Sequence, residues 1–165
     1  MTDINKEETE LSIKIFFDNA YSNFPELKTY IDNNLHQYED EGYSRFYPDF
    51  QLIIDYLTEK ILNSENEIIK KILDYIEFYL SKTPLKEVKN RIQVFFFDTI
   101  VNRLGNKGEV YIRKFISMLG PESRQLCKNE DLIYRAETAG LWAEGEFDKA
   151  LSEFYKKNIE LKKDK

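Results

Sequence analysis

Few residues in this chain are equipped for chemistry. The single histidine, His36, stands three residues before Glu39, a spacing that places both on one face of a helix and offers two metal ligands. A zinc site would need two more, and with one distant Cys these would have to be carboxylates, a poor match to zinc's usual set. A surface histidine is the better reading, and no metal or organic cofactor is expected. The lone Cys127 would have to meet His36 across the fold to form a nucleophilic pair. Beside Leu126 on a helix it reads instead as a small buried apolar residue. The 30 acidic residues form no pair in an apolar setting that would raise a pKa. Gly105-Asn106-Lys107-Gly108 lacks the spacing and trailing Lys-Ser/Thr of a phosphate-binding loop and reads as a turn. The chain is therefore expected not to be an enzyme.

One stretch is less ordinary. From His36 to Phe50 the sequence packs four acids and five aromatics into the end of one helix, a loop and the start of the next. Phe46 and Phe50 could anchor that loop to the core while its acids face water. A binding patch is the alternative: Tyr and Arg are favoured anchors at interfaces, and clustered carboxylates steer a basic partner. The candidate partner-binding residues are Glu39, Asp40, Glu41, Tyr43, Arg45, Tyr47 and Asp49. Both readings can hold for different residues of the loop.

The elements that position these residues read as helices almost throughout. Leu27, Tyr30, Ile31, Leu35 and Tyr38 fall at helical spacing between Pro25, suited to a first turn, and Gly42, a natural stop. A third segment starts near Pro48 with Phe50, Ile53, Ile54, Leu57 and Ile61 on one face. Ser64 and Glu67 have the spacing of a capping box, opening a helix with Ile68, Ile69, Ile72, Leu73, Ile76, Tyr79 and Leu80 on a stripe. A break at Lys82-Thr83-Pro84, with Thr83 as N-cap, precedes Val88, Ile92, Phe95, Phe96, Thr99, Ile100 and Leu104. The consecutive Phe95, Phe96 and Phe97 span too wide an arc for one seam, so the helix over 88–104 is expected to be central and touched from two sides. Gly105 and Gly108 bracket the next turn. Val110 to Leu119 forms another segment, stopped at Gly120-Pro121, and Pro121 opens a helix containing Leu126 and Cys127. In the first segment Leu11, Ile13, Ile15 and Phe17 alternate like a strand while Leu11, Ile15 and Phe16 suit a helix. With no second alternating run to pair with, helix is the choice.

The expected fold is all-α: antiparallel helix hairpins stacked in an irregular bundle or a short HEAT- or armadillo-like solenoid. A single helical domain spans residues 1–165, with a Lys-rich end frayed from about residue 156. The run 143–151 resembles half of a tetratricopeptide motif, too little for an array. With 165 residues, 42% of them hydrophobic, the chain can build a core without disulfides. No apolar run approaches a membrane span, and the polar start lacks the form of a signal peptide, so a cytoplasmic location is expected. The formal net charge of −6 repels phosphate backbones, which argues against nucleic acid and for a basic protein partner. The terminal lysines are interrupted by Glu153, Glu160 and Asp164 and do not alter this. Oligomeric state is not legible.

The order of several short runs resembles a family of small uncharacterised bacterial proteins. These are Phe24-Pro25-Glu26-Leu27, an acidic helix end with Gly42, Asp49-Phe50, Ile72-Leu73-Asp74-Tyr75-Ile76-Glu77, Val88-Lys89-Asn90-Arg91-Ile92-Gln93-Val94-Phe95-Phe96 and Leu119-Gly120-Pro121. Related-looking members are thought to be immunity proteins that neutralise polymorphic toxins. The resemblance spans roughly 24–126 and rests on packing signatures, so it brings a helical arrangement and no catalytic residues. In the loop, Tyr43-Ser44-Arg45-Phe46-Tyr47 departs from the more regular apolar approach expected of the family, so the partner surface is this chain's own. The expected function is an immunity-type binding protein that occludes the active site of a cationic toxin, with Tyr43 and Tyr47 in apolar contact. The alternative is a helical-repeat scaffold or regulatory module with another protein partner.

Overall fold

The structure, a computed structural model, describes residues 3–38, 46–82 and 85–127. Among these the chain is all-α: α1 (Asp3–Asn23), α2 (Pro25–Asn34) with a 3-10 extension (Leu35–Tyr38), α3 (Tyr47–Leu62), α4 (Asn66–Lys82), α5 (Lys86–Ile92), a π-helical turn (Gln93–Phe97), α6 (Asp98–Lys107), α7 (Glu109–Ser117) and α8 (Pro121–Leu126). No strand occurs among the described residues.

The first segment is indeed a helix, but on a different face from the one its sequence suggests. Ile13, Phe16, Phe17 and Ala20 are buried, whereas Leu11 and Ile15 are exposed. The buried set recurs at three- and four-residue spacing. The proline-led start of α2 forms as expected, with Leu27 and Ile31 buried, but regular α-helix ends at Asn34 and Leu35 is exposed.

Helix α3 lies at the centre. Its expected stripe of Phe50, Ile53, Ile54, Leu57 and Ile61 is buried, and so are Gln51, Leu52, Tyr56 and Thr58, which leaves little of the helix facing water. It packs against α2, α4, the π turn, α6 and α7. The segment 88–104 shares that central place and is not one uniform helix. Val88, Ile92, Phe96, Ile100 and Leu104 are all buried at a strict spacing of four. In an α-helix each step of four advances the face by about 40°, so the stripe would drift off the core. The wider π turn, in which the Asp98 N–H donates to the Gln93 carbonyl, takes up that drift. It also lets Phe96 and Phe97 both be buried, while Phe95 remains half-buried on a second side.

Two local expectations are corrected, and a third falls outside the described residues. The capping box of Ser64 and Glu67 does not form: Ser64 takes a left-handed conformation (φ 58°), the helix begins at Asn66, and Glu67 pairs with Lys71 at 2.9 Å. The turn after α6 is made by Gly108 alone, at φ 143°, because Gly105 lies within the helix. The capping residues proposed for α5, Thr83 and Pro84, lie outside the described residues, and the helix begins at Lys86 after an extended Leu85. The Gly120-Pro121 stop forms as expected, with Pro121 in the first turn of α8.

Candidate protein-binding site

The described part of the acidic-aromatic stretch rests on a connected set of rings. Phe17 of α1 meets Tyr21 at 5.9 Å between centroids, Phe46 at 5.9 Å and Phe50 at 4.8 Å. Phe50 meets Phe95 of the π turn at 5.8 Å, and Phe95 meets Tyr47 edge-on at 6.1 Å. The core thus reaches out along α1 and the start of α3 to the point where the chain leaves the 39–45 segment. Phe46 caps α3 in a left-handed conformation, φ 70°, which a bulky side chain adopts only at a cost of about 1–3 kcal/mol. Its stacking on Phe17 helps offset that cost.

Asp49 is the charged residue of this platform. Tyr21 Oη donates to Asp49 Oδ1 at 2.5 Å, tying α1 to the first turn of α3. Burial is the main cause raising the Asp49 carboxyl above the usual carboxylate range; the Tyr21 hydrogen bond opposes this, and Asp18 adds a like charge. The Tyr21 phenol is pushed far upward by burial first, then by Asp49, Asp32 and Asp18. Three carboxylates therefore converge on one phenol, and Tyr21 remains a neutral donor at any physiological pH. Within this group Asp18 pairs with Lys14 and Asp32 with Lys28 at the surface.

Of the residues singled out from sequence, Tyr47 and Asp49 are brought together on this platform, both half-buried. Glu39, Asp40, Glu41, Tyr43 and Arg45 lie outside the described residues. Tyr38 and Phe46, which flank them, both pack against the core. Tyr21 escaped the sequence reading, and Phe17 entered it only as part of an alternating run. Tyr21 sits 28 positions from its partner, and no local spacing announces that contact.

No group of three or more His, Cys, Asp or Glu is placed to hold a metal among the described residues, and His36 is exposed on the 3-10 turn. Cys127 is buried, and burial pushes its thiol well above the ordinary range, which keeps it protonated and unreactive. An open cleft of about 370 Å³ is lined by Glu26, Lys60, Glu65, Asn66, Glu67, Ile68 and Lys71. Its lysines already pair with Glu65 and Glu67. Arg103 similarly bridges Asp55 and Gln51 on α3. No helix among the described residues is long and apolar enough to cross a membrane.

The family model for a domain of unknown function, DUF7674, matches residues 17–135. The chain belongs to that family. The match begins inside α1 and takes in the whole platform, so Phe17, Tyr21, Phe46, Asp49 and Phe95 are parts of the DUF7674 domain, while the first turns of α1 precede it. Neither the curated proteins nor the solved structures contain a match to the chain.

Proposed function

We propose that this DUF7674 protein is a non-catalytic binding domain of immunity type, acting in the cytoplasm, which neutralises a cationic toxin by occluding its active site. The observation that carries the reading is the anchored platform at the start of α3. A few residues after Glu39, Asp40 and Glu41 in the sequence come the left-handed Phe46, stacked on Phe17, and Asp49, held by Tyr21. An apolar platform close in sequence to a concentration of negative charge suits a surface that steers a basic partner and then holds it with aromatic contact. Binding rather than catalysis also agrees with the paired charges of the open cleft and the protonated thiol of Cys127. On this reading the chain is one domain of stacked antiparallel hairpins in a short HEAT- or armadillo-like arrangement, and its partner is a protein and neither a nucleic acid nor a membrane.

Affinity capture from the source organism, followed by mass spectrometry and an activity assay of the captured partner, tests the proposal. A single abundant basic partner whose activity is lost in the complex is the expected result. An acidic or non-toxic partner, or a toxin that stays active while bound, overturns it in favour of a scaffold or regulatory module.

A further inference from the structure

We draw no further inference here: the strongest candidate, the open cleft where the start of α2, the end of α3 and the start of α4 meet, carries nothing, because its lysines are already paired with Glu65 and Glu67 and nothing in the structure shows what ligand it would hold.

Discussion

Glu77 on α4 and Ser123 on α8 join two helices across 46 positions of sequence. Glu77 Oε2 accepts from the Ser123 N–H at 2.8 Å and from its hydroxyl at 2.7 Å, while Oε1 accepts from the Glu122 N–H at 2.8 Å. The carboxylate thereby satisfies two amides that the first turn of α8 would leave without partners. Gly120 is required beside it for steric reasons, since a Cβ at that position would stand 2.4 Å from Glu77 Cδ. Two of the short runs that carry the family resemblance, one ending in Glu77 and the other Leu119-Gly120-Pro121, are thus two halves of one contact.

Glu77→Ala should accordingly destabilise the protein by about 2–3 kcal/mol, because three hydrogen bonds to a charged acceptor are lost and two amides are stranded. Gly120→Ala should cost about 1–3 kcal/mol by expelling the same carboxylate. Urea melts of the two single variants and the double variant check this. The costs should be far from additive, since either change alone breaks the contact.

Phe96→Ala removes a fully buried ring from the π turn and should cost about 3–5 kcal/mol. A loss below about 1 kcal/mol in denaturant melts would mean that the π turn does not anchor the core.

Gly108 links α6 and α7 at φ 143°, a backbone region open to glycine and scarcely to any other residue. Gly108→Ala should therefore cost about 1–3 kcal/mol although its Cβ would find only ordinary contacts with Tyr111 at 3.7 Å. Thermal melts measure the loss, and an unchanged melting temperature would remove the strain argument.

How much of this was legible in the sequence depends on the range of the interaction. The stripe on α3 could be read because every member lies within one helix and the spacing alone selects the face. The same rule misled at α1, where Leu11 and Ile15 keep a helical spacing on the side away from the core. Local spacing also misled at Ser64, where the link between α3 and α4 needs a left-handed residue and so displaces the cap that the pattern offered. The π turn left a trace in the strict four-residue recurrence from Val88 to Leu104, which an unbroken α-helix cannot keep on one side. The bonds of Tyr21 to Asp49 and of Glu77 to Ser123 left none, because two polar residues far apart in sequence carry no mark of their meeting. For the same reason the platform at the start of α3 could be anticipated only through Phe46 and Phe50.

Asp49 provides a pH-dependent check on that platform. Burial raises its carboxyl in the folded state above its value in the unfolded chain, so between those two values the folded protein binds more protons. Stability contributed by this group is therefore greatest below the unfolded value and falls as pH rises through the folded one. Asp49→Asn keeps an acceptor for the Tyr21 hydroxyl and removes the charge, so it should flatten that portion of the stability profile while leaving stability at neutral pH equal or higher. Tyr21→Phe should act in the opposite sense, leaving the carboxylate half-buried without its donor and costing about 1–3 kcal/mol at neutral pH. Melting temperatures across mildly acidic to neutral pH for the wild type and both variants decide the matter, and parallel profiles for all three would show that Asp49 does not titrate in the environment described.

Partner binding supplies the last prediction, with a signature that distinguishes steering from anchoring. Replacing Glu39, Asp40 and Glu41 together by Gln should slow association with a basic partner and flatten its dependence on salt, because peripheral charges act over the screening length before contact is made. Tyr43→Ala should instead speed dissociation, by about 2 kcal/mol in affinity, as loss of an aromatic anchor does. Tyr47→Ala should also lower stability, since its ring already packs on Phe95. Association and dissociation rates measured on the captured partner at two salt concentrations, with melting curves for each variant, separate these effects. If both rates are unchanged in the triple Gln variant and in Tyr43→Ala, the acidic stretch is not the interface, and the partner must engage another face of the same helical domain.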